Sequence, residues 1–250
     1  MLNPVFIHIV CFSMTLITNA QPPKNAVSFF KKGQKLKEQG MFYEAIQSFK
    51  KATALYRSYD SAYLEWSGLY ERMNKPDSAV WVLRNAIRQN PKLKSGFISL
   101  ANLFKDKKLS FDSAALYYSA ALQLDSTDKE TLYNISWCYN SVKDYEKAIG
   151  YAVKLLDQDI NHRKAYGEMA HAYHALKKYD EALVQFKKYA ALSTCELPLV
   201  YSGFVYLELN QFDNVQQTMD ELTKKGFKQA SDGLKKRWDA KKRQHPGKGS

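Results

Sequence analysis

Two histidines three residues apart, His171 and His174, come closest in type and spacing to metal chemistry, because residues at i and i+3 share one face of a helix. Glu168 lies on that face as well and makes only a weak triad with them. No third ligand of the right type is evident, so a solvated or groove-lining pair is the preferred reading, and no metal or other cofactor is expected. Once the first twenty residues are set aside (below), the cysteines are Cys138 and Cys195. They sit in neither a CxxC nor a zinc-ligand spacing, and no His/Asn constellation marks a nucleophile. One falls in mid-helix and the other at a linker, so free, buried thiols are expected in preference to a disulfide. Gly-rich phosphate loops, nucleophile elbows and HExxH are missing, and the carboxylates mostly fall on helix faces or at helix starts. The sequence therefore names no catalytic residue and is read as that of a protein that is not an enzyme.

Composition sets the class of scaffold that carries these residues. Of 250 residues, 45% are apolar and 14% aromatic, with 17 Tyr and 13 Phe, which is enough for a continuous core and excludes disorder of the whole chain. The net charge of +12 is unevenly placed: residues 224–250 hold ten basic side chains against Asp232 and Asp239, a net +8, so the rest is only mildly basic. That tail has three readings: a solvated terminus, a contact for anionic lipid or cell-wall polymer, or a nucleic-acid patch. Aromatic interleaving is limited to Phe227 and Trp238, which disfavours nucleic acid. At the other end, residues 2–17 carry no charge, and Thr18, Asn19 and Ala20 bring small residues up to Gln21. This is the layout of a secretory signal peptide over residues 1–20 with cleavage after Ala20, although its leading region lacks Lys or Arg. The stretch is too short and too interrupted to be a good membrane span. A periplasmic or secreted location is the expectation; the alternative is a cytosolic protein with an apolar N-terminus.

The dominant feature is a repeat. Small residues recur as Gly33, Ser67, Ala101, Ser136, Ala170 and Gly203, at spacings of 34, 34, 35, 34 and 33. A second set follows twelve residues later, or thirteen in the third case: Ala45, Ala79, Ala114, Ala148, Ala182 and then Val215. Large residues stand four before the first set, from Phe29 to Leu199, and three after it, from Leu36 to Tyr206. Offsets of −4, 0 and +3 share a helical face, so each unit's first helix shows large, small, large, and its second helix small then large. Small residues allow two backbones to approach at a crossing while the large ones fill the space above and below it. An acidic residue near the start of every second helix (Glu44, Asp77, Asp112, Asp144, Asp180, Asp213) complements the helix dipole or caps free N–H groups. Thr127 and Glu130 are placed for a capping box at the start of the fourth unit.

These residues resemble the tetratricopeptide repeat (TPR) family, whose 34-residue unit has the same order of positions. The resemblance covers residues 26–229 as units 26–59, 60–93, 94–128, 129–162, 163–196 and 196–229, with the single insertion in the turn 105–113. It implies an all-α, right-handed superhelical solenoid of about six helix-turn-helix units. A C-terminal helix over 230–243 follows, with Leu234 and Trp238 set to cover the end of the sixth unit, and then a disordered tail, 244–250. The usual late small residue of the second helix holds as Ala52, Ala86 and Ala121 but becomes Leu155, Tyr189 and Leu222, so altered local curvature is expected in the last three units.

The resemblance also implies a concave groove lined by first helices, with a partner's peptide or helix as its ligand. The family positions that point into it include Phe30, Gln34, Leu64, Arg72, Ile98, Asn102, Lys105, Tyr133, Trp137, Lys164, His171 and His174. Ile98, Tyr133 and Trp137 read equally as binding anchors or as extended core. Some family members hold a C-terminal carboxylate in a clamp of Lys, Asn, Asn, Lys and Arg/Lys. Asn102, Asn134 and Lys164 occupy three of those places, while Ile98 and Glu168 occupy the others, and Glu168 would repel a carboxylate. The expected function is a non-catalytic, exported scaffold for protein–protein interaction. Its alternatives are a cytosolic regulatory or nucleic-acid binder using the basic tail, and a glycan- or peptidoglycan-binding accessory subunit using the Trp137 region.

Overall fold

A computed structural model describes residues 21–107 and 110–244, so the proposed signal segment, two residues of the third turn and residues 245–250 lie outside the described residues. Among the described residues there are thirteen α-helices and no strand. They form six antiparallel pairs: α1 (Lys24–Glu38) with α2 (Phe42–Leu55), α3 (Asp60–Arg72) with α4 (Pro76–Gln89), and α5 (Lys94–Asp106) with α6 (Phe111–Leu124). Then come α7 (Lys129–Ser141) with α8 (Tyr145–Gln158), α9 (Arg163–Ala175) with α10 (Tyr179–Ala191), α11 (Leu197–Glu208) with α12 (Phe212–Lys224), and a last helix α13 (Lys228–Gln244). Each helix packs on the next in sequence, and first helices of neighbouring units also meet, as α7 does with α9. This is the all-α solenoid implied by the repeat.

The small residues mark the crossings. Ala45, Ala79, Ala114, Ala148, Ala182 and Val215 are all fully buried. In the facing helices Gly33, Ser67, Ala101, Ser136, Ala170 and Gly203 are buried too. Ser136 Oγ donates to the Ala148 carbonyl at 2.8 Å, so the hydroxyl placed in this crossing is satisfied rather than stranded. At Gly33 the approach to a side chain is close: a Cβ there would stand 2.6 Å from the Phe49 ring, and Gly203 meets Leu234 at least as tightly. The fifth unit, where Tyr189 replaces the usual small residue, accommodates the ring over Gly167, whose missing Cβ would lie 3.1 Å away. A large residue on one helix is thus matched by bare backbone on the facing one.

The turns within the pairs are closed by one device. Gly40, Asn74, Lys143, Lys177 and Asn210 adopt φ between 54° and 77° directly after a first helix. The next N–H reaches back to the carbonyl five residues earlier, as in Lys75 to Tyr70 at 2.8 Å and Asp144 to Tyr139 at 2.9 Å. The longer third turn bonds less well, with Ser110 N–H at 3.5 Å from the Phe104 carbonyl.

Caps at helix starts correct part of the sequence reading. The fourth unit does not open with a Thr127/Glu130 capping box: Asp128 is the N-cap and accepts from Thr131 N–H at 2.9 Å, while Thr127 Oγ donates to Asp125 at 2.7 Å. A carboxylate one residue further along reaches the free N–H groups and outcompetes the threonine. Among the acidic residues near second helices, Asp144 caps through its side chain; Glu44, Asp77, Asp112, Asp180 and Asp213 stand inside the first turn, where they act on the helix dipole.

At the C-terminal end α13 folds back over α11 and α12. Leu234, 1% exposed, joins Leu207, Val215, Met219 and Leu222, and Trp238 packs near Phe212 with ring centroids 6.4 Å apart. Its other face is Lys- and Arg-rich and exposed, apart from Lys241, whose ammonium reaches the Leu207 carbonyl.

Candidate functional site

The groove-facing positions divide by what their side chains touch. In the first two units Phe30 is occupied by internal packing, 5.0 Å from Tyr59 and 5.7 Å from Phe49 between ring centroids. Leu64 packs on the cluster around Ala79 and Leu100, Arg72 lays its guanidinium 4.7 Å over the Phe42 ring, and Gln34 is half-buried. In the third and fourth units Ile98 and Trp137 both pack on the cluster of Ala101, Ala114 and Tyr118. Trp137 stands edge-on to Phe111 at 5.2 Å.

Tyr133 is placed differently. It borders a recess of about 750 Å³ between α5, α7 and the turn into α9, together with Lys105 and Lys164. Lys129, Arg163 and His162 complete the basic side of the recess, against Glu130 and Asp159. Lys164 is exposed and sits 5.1 Å over the Tyr133 ring, where the cation meets the negative face of the phenol. Lys105 Nζ is held at 3.0 Å from Asn134 Oδ1 and lies 5.9 Å over Tyr118. The repeat spacing does not point to Asn161, His162 and Arg163, because they belong to the connection between units and the first residue of α9; their run of polar side chains at a helix start is the signal that they line this recess.

Of the three clamp-like positions, Asn102 and Asn134 are committed to internal bonds, while Lys164 lies over the Tyr133 ring. Asn102 Oδ1 accepts from the Tyr118 hydroxyl, and Asn134, 8% exposed, accepts from Lys105. Glu168, expected to repel an incoming carboxylate, is drawn into a network: Asn140 Nδ2 donates to its Oε2 at 2.7 Å and Tyr133 hydrogen-bonds it as well. Burial pushes the Glu168 carboxyl above its usual range, with the bonds from Asn140 and Tyr133 opposing. Burial likewise pushes the Tyr133 hydroxyl up to about 12, so at neutral pH it is a donor.

The histidine pair lies apart from the recess. His171 is wedged edge-on between Tyr201 at 4.5 Å and Phe186 at 5.5 Å, and His174 faces Glu208 at 3.3 Å and Tyr179. No cluster of three metal-ligating side chains occurs among the described residues. Cys138 is fully buried and its thiol is pushed up to about 12 by desolvation. Cys195 is only half-buried, not the buried thiol expected, because it lies in the connection between units. Burial alone would raise its thiol, but hydrogen bonds from Ser193, the Leu197 N–H and Tyr189 bring it below the usual value.

Burial, and next to it the charge of His174, hold the His171 imidazole below its usual value near 6.5. The folded chain therefore binds this proton less readily than the unfolded one. The resulting stability is present above pH 6.5 and is lost as pH falls from there through the depressed folded value. Wild-type chain should lose more of its urea midpoint between pH 7.5 and 5.5 than His171→Gln does; parallel losses in the two proteins would assign the pH dependence to other groups.

Comparison with known proteins places this geometry. Residues 164–193 match the tetratricopeptide repeat family. A comparison with curated proteins finds no match. Among solved structures, a tetratricopeptide repeat protein from Parabacteroides merdae ATCC 43184 superposes with a TM-score of 0.63 at 14% identity, covering 87% of this chain and 93% of that one. YrrB, described as a TPR protein with an unusual peptide-binding site, gives 0.59 at 18% identity, over 69% of this chain and 89% of its own. The pilF protein of Pseudomonas aeruginosa gives 0.56 at 16% identity, over 80% and 91%. With the repeat spacing, the family match over one unit and the helix-pair stack in agreement, the chain has the fold of a tetratricopeptide repeat solenoid.

Proposed function

We propose that the protein is a non-catalytic scaffold for protein–protein interaction, exported to the periplasm or beyond the cell, that takes a peptide or helix of a partner in the groove lined by its first helices. The observation that carries this reading is the recess at α5, α7 and α9. It joins an amphipathic ring, Tyr133, to an uncommitted cation, Lys164, with polar connections from residues 161–163 at its rim. Aromatic anchors beside satisfied polar groups are the usual makings of a selective peptide site. Anchoring falls to Tyr133, which borders the recess, in preference to Trp137, which does not line it. Export rests on the composition of residues 1–20.

The test is photocrosslinking in native cells with a photoreactive residue at Glu130, on the rim, and a control at Val153, exposed on α8. A partner captured from position 130 and not from 153, and lost in Lys164→Ala, is the expected result. Equal capture from both positions would remove the groove assignment. The mature N-terminus read from the same sample is expected at Gln21, and retention of Met1 would remove export.

A further inference from the structure

On the face opposite the groove, between α2 and α4 and floored by α3, lies a crevice of about 320 Å³. Its charged lining consists of Lys50, Arg57 and Arg88, and no carboxylate borders it. None of these three cations forms an ion pair among the described residues; Arg88 donates to Asn85 at 2.5 Å and Lys50 sits 5.4 Å over the Trp66 ring. Asp60, whose field reaches Tyr63 in the floor, is tied to Asn90 at 2.7 Å, and at Tyr63 its influence is smaller than that of Arg88 and Arg57. Trp81 closes one side, 59% exposed, with its ring 5.7 Å from and steeply inclined to Trp66. Trp66 itself is 5% exposed, and its indole N–H has no hydrogen-bond partner.

The repeat supplies an internal comparison. The corresponding crevice between α10, α11 and α12 has about 500 Å³, but Ser202 stands where Trp66 does and Glu221 where Asn85 does. There Glu221 pairs with Lys225 at 2.9 Å. The architecture therefore provides the cleft and one lysine, Lys50 or Lys187, at both places, while the two guanidinium groups and the Trp66–Trp81 pair are particular to the first. Lys50 lies over the Trp66 ring, whereas Arg57, Arg88 and Trp81 are exposed beside it with no carboxylate in the crevice.

We propose that this crevice is a second binding site, independent of the groove, for an acidic peptide segment of a partner: the Arg57 and Arg88 guanidinium groups receive a carboxylate and the Trp81 and Trp66 rings hold the adjoining apolar side chain. Guanidinium forks match the planar carboxylate, and aromatic rings at the edge of the cleft exclude water from the pair.

The experiment uses the full chain and a fluorescein-labelled, N-acetylated hexapeptide of alternating Asp and Phe, with the Asn/Phe peptide as its neutral counterpart, followed by fluorescence polarisation. Binding of the acidic peptide should weaken about tenfold or more in Arg57→Gln/Arg88→Gln and in Trp81→Ala, and stay unchanged in the groove variant Lys164→Gln. Circular dichroism confirms that each variant keeps its helices; the three crevice positions are exposed, so folding is retained. Equal binding of the neutral peptide, or unchanged binding in both crevice variants, would overturn the proposal. Loss in Lys164→Gln alone would move the site to the groove, and displacement of the peptide by inorganic phosphate at equal concentration would make the crevice a general oxyanion site instead.

Discussion

Leu234→Ala is expected to destabilise the chain by about 2–5 kcal/mol, seen as a lower urea midpoint, because it removes a fully enclosed side chain from the cluster that covers the last pair of helices. Most of α13 is charged and exposed, and its hold on the solenoid is concentrated in Leu234 and Trp238. Leu234 lies against the bare backbone of Gly203, so the surroundings cannot close over a shortened side chain by a rotamer change alone. Ending the chain before residue 234 should cost at least as much, since Leu222 and Met219 then meet water, whereas ending it after Arg243 should leave melting unchanged. A truncation at 234 that melts like the full chain would show that the sixth unit is closed by other means.

Phe49→Ala should cost about 3–5 kcal/mol, and Gly33→Ala about 1–3 kcal/mol, for opposite reasons. The first empties a fully buried site that also supports Phe30. The second drives a methyl group into the Phe49 ring at a position where 2.6 Å is all the room there is. Because both act on one contact, the double variant Gly33→Ala/Phe49→Ala should be less unstable than the sum, with a coupling of about 0.5–3 kcal/mol in a denaturation cycle. Strict additivity would mean that the two residues do not share the crossing.

Those two positions also show why the architecture was legible in the sequence. A helix crossing demands a small residue at one place and a large one opposite it, and the demand repeats with each unit, so Gly33 and Phe49 stand in the pattern before any coordinates, whereas Tyr189 departs from it and its match with Gly167 is seen only in the packing. Caps were less legible, as Thr127 and Asp128 are adjacent and the capping-box spacing of Thr127 to Glu130 points one residue short of the stronger acceptor, Asp128. The groove was legible only as a set of positions. Periodicity says that Trp137 and Tyr133 are on the same helix face; it does not say that Phe111 of the preceding unit engages Trp137 while Lys164 lies over the face of Tyr133. The fate of Glu168 was hidden for the same reason, because Asn140 and Tyr133 come to it from the neighbouring unit. Side-chain commitments between units are set by packing, and a one-dimensional repeat carries no record of them.

The nearest-neighbour stacking of the helices has a kinetic side. Contacts are local in sequence, so few long loops must close before native interactions form, and any adjacent pair of units can serve as a starting point for folding. Opening is restricted in the complementary way. An interior unit is gripped on both sides and a terminal one on a single side, so fluctuations enter from the ends and must consume units in order. The recess at α5, α7 and α9 therefore sits in the slowest-opening stretch of the chain, and a bound segment there would read a rigid surface.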